Sequence, residues 1–337
     1  MKGPFTSMGR TTGYNKNLTV NYDKINPKNK ELVDEFVKYC YAMDKSKATM
    51  NTYMNQLKIF MCWNYELNKD KFFIDLKTKD FVYFIGYLRG TLNSSSNRIN
   101  SFRSLLSSFS NCIEKQYEDE YPQFRNRIKN LDRTPKQPKL EKTIISEDQL
   151  QNMLNELVVK KKYQLACWLA LLASSGSRRS EALQMKVVFF DNNHVVFDGL
   201  MYKTDTMRSK GSGSEGKKIQ RYIMKKDFDP YLNLWLEERK RLGINSEYLF
   251  VVKYDSCYRP AQKSTADAWA TQISNEFNIK FYNHCMRHYF TTKMKRSNYP
   301  NEIIAKVIQW SSTDMIKIYN DISDDETLEN YFKNINE

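Results

Sequence analysis

One stretch of this chain limits its fold more than any other. Residues 122–144, "PQFRNRIKNLDRTPKQPKLEKTI", carry Pro122, Pro135 and Pro138 in a run rich in Arg and Lys. Pro135 and Pro138 disfavour helix and hold the backbone extended, as an interdomain linker requires. The two sides are therefore expected to fold as separate bodies, and 337 residues exceed what one hydrophobic core usually organises. The division this predicts is a flexible basic arm at 1–28, a helical domain at 29–122, a basic linker at 123–143, a second domain at 144–325 and a tail helix at 326–337.

Before the linker the periodicity is helical throughout. "ELVDEFVKYCYAM", "TMNTYMNQLKIFMCWNYEL", "TKDFVYFIGYLRGTL" and "NRINSFRSLLSSFSNCIEKQY" each repeat apolar residues three and four apart, with Asn, Asp, Lys or Ser in the breaks. Four short helices joined by short turns predict a compact all-helical domain.

After the linker the pattern is mixed. Ser146 and Gln149 have capping-box spacing at the start of "SEDQLQNMLNEL", and the apolar helix "YQLACWLALLASSG" ends at Gly176, a favoured residue just past a helix. Short β signals follow in "VVFF", "HVVFDGLMYKT" and "KIQRYIM", the last two flanking the flexible basic loop "SKGSGSEGK" as a hairpin. The remainder reads as helix, through "YLNLWLEERKRLG", "TADAWATQISNEF", "HCMRHYFTTKMKRS", "NEIIAKVIQWS", "TDMIKIYNDI" and "ETLENYFKNI". The fold class is therefore mainly α with a small antiparallel β-sheet.

The charge is lopsided, with 53 Lys+Arg against 39 Asp+Glu for a net +14. Such a field favours a polyanionic partner, because each phosphate contact releases condensed counterions. Charge alone does not separate DNA from RNA or an acidic membrane surface, and it also serves solubility. No apolar run approaches the roughly 20 residues that cross a bilayer, and the N-terminus lacks the apolar core of a signal peptide, so a cytoplasmic location is expected. Cys40, Cys62, Cys112, Cys167, Cys257 and Cys285 form no CxxC pair and read as reduced core residues. With three histidines in all, a multi-histidine metal site is not expected, and no cofactor is implied.

Several residues could carry chemistry. Arg178 emerges just after the buried helix, where its guanidinium fork matches two phosphate oxygens or, alternatively, pairs with Glu181 at the surface. Lys203 lies on the predicted hairpin, where a lysine beside a phosphate can protonate a leaving oxygen or simply be solvated. His284 and Arg287 are three apart and share a helix face, whereas the neighbouring His288 points elsewhere, to packing or support. Trp310 and Tyr319 stand nine residues apart, and Tyr319 is one tyrosine among 22.

Taken in order, "SGSRRSE", "MYKT", "HCMR" and "QWSSTDMIKIY" resemble the motifs of the tyrosine recombinase, or phage-integrase, family. That family places arginine in a "TGxRxSE"-like turn, lysine on a β-hairpin, HxxR at a helix start, and histidine or tryptophan about nine residues before a nucleophilic tyrosine. The resemblance spans about residues 30–325, and "SGSRRSE" through "YLNLWLEERKRLGINSEYLFV" looks most like integrases of mobile elements in low-GC bacteria. Departures are Ser175-Gly176 for Thr-Gly, Met286 for the usual Leu, Gln309-Trp310 for Gly-His, and a long lysine hairpin that leaves Lys210 as the alternative to Lys203.

The resemblance implies a helical SAM-like core-binding domain followed by a tyrosine-recombinase catalytic domain. It further implies a metal- and ATP-independent enzyme in which Tyr319 attacks the scissile phosphate of double-stranded DNA and forms a 3′-phosphotyrosine. Arg178 and Arg287 would bind the phosphate, Lys203 would protonate the 5′ oxygen, His284 would move a proton and Trp310 would donate from its indole N–H. Glu181 and His288 would support these groups, and Lys136, Lys139, Arg208 and Lys210 would contact DNA. Partners expected from the family are attachment-site DNA, a homotetramer formed on DNA from free monomers, and accessory directionality or bending factors. The tail would dock on its own domain or on a neighbouring protomer. A DNA-binding protein without catalysis, or a type IB topoisomerase-like enzyme, are the alternative readings.

Overall fold

The computed structural model describes residues 22–133, 135, 143–209, 211, 213, 215–319 and 322. Lys136, Lys139, Lys210, residues 1–21 of the expected arm and the expected tail helix at 326–337 lie outside the described residues. The fold is mainly α with small antiparallel sheets. The chain divides into two compact units, Met1–Lys139 with Gly211–Gly216, and Leu140–Lys210 with Lys217–Glu337.

The first unit holds helices α1 (Pro27–Ala42), α2 (Lys47–Leu67), α3 (Thr78–Gly90) and α4 (Ser96–Gln116). Three of their starts are set by polar side chains that accept otherwise orphaned N–H groups. Asn26 accepts from the Lys28 N–H at 3.0 Å, Ser46 from Thr49 at 3.2 Å and Ser95 from Arg98 at 3.3 Å. Between the helices packs an aromatic core. Phe60 meets Phe84 edge-on at 4.9 Å, and Phe73 meets Phe109 at 4.7 Å. Asn29, fully buried, is satisfied by donating to the Lys71 carbonyl at 3.0 Å and accepting from the Phe73 N–H at 2.8 Å.

Part of the expected linker belongs to this core. Phe124, Ile128 and Leu131 are buried in it, around a 3₁₀ turn at Arg127–Asn130. Their apolar burial outweighs the basic, proline-bearing character that marked the stretch as a linker from Gln123 onward.

The second unit opens with α5 (Glu147–Val159), on the capping box expected from Ser146 and Gln149, and α6 (Tyr163–Ser175). Helix α6 is apolar on every side and is buried on every side, packed against α5 and against elements that follow later in the chain. The Trp168 indole N–H donates to Asn283 at 3.1 Å, and the Gln164 side chain accepts from the Val251 N–H at 2.9 Å. A single turn, α7 (Arg179–Ala182), follows.

The strands are short: β1 (Val195–Val196), β2 (Met201–Lys203), β3 (Met207–Ser209), β4 (Lys217–Ile219) and β5 (Tyr222–Met224). β2 pairs antiparallel with β5 and β3 with β4, so the anticipated hairpin around the basic loop is built as two successive ladders. "VVFF" is not a strand. Val187–Phe190 form a 3₁₀ turn in which the Phe189 N–H returns to the Lys186 carbonyl at 3.1 Å, while Val187 bonds to Glu247 at 2.8 Å.

Helix α8 (Lys225–Arg241) packs on α6 and is followed by a hairpin, β6 (Val251–Tyr254) and β7 (Cys257–Pro260), in a region expected to be wholly helical. Its two-residue turn works because Asp255 accepts a positive φ of 51°. Helices α9 (Lys263–Phe277), α10 (Cys285–Arg296), α11 (Asn301–Ile308) and α12 (Asp314–Tyr319) complete the unit. Phe290 and Met294 of α10 bury Ile304, Ile308 and Ile316, which seats α11 and α12 on α10. Among the described residues no helix is long and apolar enough to cross a membrane.

The end of α6 is held by Gly176, whose φ is +57° and whose carbonyl accepts from Arg287 at 2.7 Å. A Cβ there would stand 2.7 Å from the Phe290 ring. Gly176→Ala is therefore expected to cost about 3 kcal/mol, from left-handed strain together with overpacking. Urea unfolding measures it, and a loss under about 0.5 kcal/mol would contradict this packing.

Candidate active site

The left-handed turn at Gly176 aims the next residues of the chain. Two residues on, Arg178 caps α7 and Glu181 follows at its third position. Glu181 is fully buried and all its oxygens are engaged: Oε2 accepts from the Arg178 N–H at 2.8 Å and from Arg221 Nη2 at 2.5 Å. Oε1 accepts from Arg178 Nη1 at 2.9 Å and from the Ser209 hydroxyl at 2.5 Å. Burial pushes the carboxyl's pKa up, but Arg221, Ser209 and Arg178 outweigh it and hold the group below its usual range. The Arg178–Glu181 pair thus exists, but it is an interior clasp and not the surface ion pair that spacing alone allowed.

Helix α10 contributes His284, at its N-cap, and Arg287 three residues on. Arg287 is fully buried: Nη1 donates to the Gly176 carbonyl, and Nη2 donates to the Ile308 carbonyl at 3.4 Å. Its guanidinium lies 5.0 Å from the Trp310 ring and 5.8 Å from the Tyr319 ring. Burial first, then the charges of Arg178 and Arg221, depress its pKa to about 9, so it stays cationic at neutral pH.

The α11–α12 connection brings in the aromatic pair. Helix α11 ends with Gln309 at a φ of +59°, and the Trp310 N–H turns back to the Ala305 carbonyl at 2.8 Å. That left-handed position is one that glycine fills without strain, which gives the Gln309 departure a physical meaning. Trp310 packs at a tilt of 34° against Tyr319 with centroids 5.0 Å apart. The Tyr319 hydroxyl sits 2.8 Å from His284 Nε2, and its ring lies 4.7 Å from that of His288. His284 is held neutral: desolvation, then the charges of Arg287, His288 and Arg178, lower its pKa to about 4.

The structure thus brings Arg178, His284, Arg287, Trp310 and Tyr319 together, with Glu181 and His288 against them. Lys203 is half-buried at the end of β2, its Nζ 5.9 Å from the Tyr222 ring, and no described contact joins it to the other five. Arg208 is exposed in β3, with its backbone tied to the Gln184 side chain. Arg221 and Ser209 went unremarked in the sequence. Arg221 was one cation among 53 Lys+Arg, and nothing in "KKIQRYIM" signals that its side chain is wholly interior.

Three guanidinium groups and one carboxylate converge here, leaving two positive charges in excess. Arg287 Nε and Trp310 Nε1 are buried donors with no hydrogen-bond partner among the described residues. Buried donors are rarely left unpaired, and a surplus of buried cations with idle N–H groups suits an oxyanion such as a phosphate diester.

The SPbeta prophage-derived recombinase-like protein YomM of Bacillus subtilis (strain 168) is 28% identical over 259 residues, covering 76% of this chain and 74% of that protein. Tyrosine recombinase XerS of Streptococcus thermophilus (strain CNRZ 1066) is 24% identical over 328 residues, covering 83% of this chain and 88% of its own. Among solved structures, the Tn1549 transposon integrase in complex with transposon right end DNA shares the fold, with a TM-score of 0.65 at 13% identity over 91% of this chain and 99% of that one. The XerH site-specific recombinase in its post-cleavage complex with palindromic difH substrate does so with a TM-score of 0.62 at 17% identity, over 84% and 79%. The model of the Phage integrase family matches residues 143–326, more than half of the sequence, and the chain belongs to that family, the tyrosine recombinases.

Proposed function

We propose that this chain is a site-specific tyrosine recombinase that integrates or excises a mobile element, cutting and rejoining double-stranded DNA through a 3′-phosphotyrosine. The observation that carries the reading is the buried Tyr319 hydroxyl at 2.8 Å from a neutral His284, beside the guanidinium of Arg287. A phenol with an ordinary pKa near 10 is a poor nucleophile at neutral pH, so it needs a proton acceptor and a polarised target. His284 Nε2 supplies the first. Arg178 and Arg287, with the Trp310 indole N–H, supply the second by binding the non-bridging oxygens where charge develops.

In the step itself, the Tyr319 oxygen bonds to phosphorus while the bond from phosphorus to the 5′ oxygen breaks. The phenolic proton passes to His284, and the leaving 5′ oxygen takes a proton from Lys203. Rejoining runs the same step backwards with a 5′ hydroxyl as nucleophile, and the phosphotyrosine conserves the bond energy without ATP. To reach that oxygen Lys203 leaves the Tyr222 ring, from which its ammonium lies 5.9 Å away. Lys136 and Lys139 of the linker and Arg208 and Lys210 of the hairpin contact the DNA backbone. Exchange between sites requires four protomers on DNA, assembled from free monomers, with accessory factors setting direction. The cytoplasm, where such DNA lies, is the expected location. The prophage origin stated for YomM supports the mobile-element part of this reading.

Nicked suicide duplexes tiled across the sequences flanking the gene test it. The wild-type protein forms a covalent adduct that survives denaturation, and Tyr319→Phe forms none; an adduct with the variant sinks the proposal.

The pH profile is equally specific. Because His284 has its pKa depressed to about 4, it remains a neutral acceptor well below the usual histidine range. Single-turnover adduct formation is therefore expected to stay flat from pH 8 to about 5 and to fall only as pH drops toward about 4. A break near 6.5 would show an ordinary histidine and contradict the assignment.

A further inference from the structure

Arg221 stands one residue before β5 and has no exposed surface. Its backbone is pinned on both sides: its N–H donates to the Thr204 hydroxyl at 2.9 Å, and its carbonyl accepts from the Thr204 N–H at 2.9 Å. Its side chain spans the interior of the unit. Nη2 meets Glu181 at 2.5 Å and Nη1 donates to the Ile308 carbonyl at 2.6 Å.

Each contact leads to a reacting group. Glu181 also holds the backbone and guanidinium of Arg178. The Ile308 carbonyl also receives Arg287 Nη2, and it immediately precedes the left-handed Gln309 that turns the chain into Trp310. Thr204 directly follows Lys203 at the end of β2. A buried ion pair of this kind adds little net stability over well-packed apolar side chains of the same volume. What an apolar side chain cannot do is fix one carboxylate and one carbonyl at set directions with a planar fork.

We infer that Arg221 is a positioning residue for strand cleavage, which aims Arg178 through Glu181 and holds the Trp310 turn through Ile308 without touching the DNA. This rests on the phosphotyrosine reading of the site for its effect on rate, though not for its effect on Arg178.

Two arms test it. In the first, Arg221→Lys and Arg221→Gln are compared with wild type for melting temperature, duplex affinity and single-turnover adduct formation. A folded Arg221→Lys protein is expected to bind DNA within threefold of wild type and to cleave about 100-fold more slowly. The Arg178→Lys, Arg221→Lys double variant is expected to lose clearly less than the product of the two single losses, since both act through one guanidinium. Cleavage within threefold of wild type, or fully multiplicative losses, would overturn the inference. So would failure of both variants to fold, which would make Arg221 a scaffold residue.

The second arm needs no cleavage. In ¹⁵N-arginine spectra of the free protein, the Arg178 side-chain signal is expected in a dispersed position and at the solvent position in Arg221→Lys. Its persistence in the variant would overturn the inference. If wild type forms no adduct, the phosphotyrosine reading fails while this arm still decides the role of Arg221.

Discussion

The placing of Arg178 at this site depends on one buried carboxylate. Glu181 has no exposed surface, yet it is charged, because Arg178, Arg221 and Ser209 together offset the cost of desolvating it. Removing one partner from such a pair costs about 3–5 kcal/mol, since the other charge is left buried and alone. An exposed pair such as Lys38–Glu35 is screened by solvent and fixes little. The interior pair therefore fixes geometry in a way that no surface pair on this chain can. It joins the turn after α6, the β3 strand and the start of β5, which are far apart in sequence.

Around that carboxylate, two left-handed turns do the aiming. Gly176 ends α6 and lets the Phe290 ring approach, while its carbonyl takes a hydrogen bond from Arg287. Gln309 ends α11 and folds Trp310 back over Tyr319. Helix α10 is the rigid element between them: His284 and Arg287 face the site from its first turn, and Phe290 and Met294 bury the helices that carry Trp310 and Tyr319. The candidate catalytic residues Arg178, His284, Arg287, Trp310 and Tyr319 are thus held by packing and hydrogen bonds, which is the kind of preorganisation the proposed reaction needs.

How much of this could be read from the sequence follows from which forces are local. The helix starts at Ser46, Ser95 and Ser146 are local events, and the one at Ser146 lies where its spacing with Gln149 indicated. The motifs around Arg178, His284, Arg287, Trp310 and Tyr319 are legible because their order and spacing resemble those of the family, and the fold brings these five residues together. Non-local forces hid the rest. "VVFF" has strand composition but finds a 3₁₀ turn, because Val187 is claimed by Glu247. The β6–β7 hairpin depends on a positive φ at Asp255 that no apolar period reveals. Phe124, Ile128 and Leu131 sit among linker-like residues yet complete the first core. Arg221 differs from the other basic residues only in burial, which is a property of the fold and not of its neighbours in sequence.

The central claim is that, of 22 tyrosines, only Tyr319 becomes joined to DNA, at a 3′ phosphate. Mass mapping of the trapped adduct tests this most directly, by proteolysing the complex formed on a suicide duplex and sequencing the peptide that carries the nucleotide. A single modified peptide is expected, containing Tyr319 bonded to a 3′-phosphoryl nucleotide, with a free 5′ hydroxyl on the other strand end. A nucleotide on another residue, or a linkage through a 5′ phosphate, would contradict it.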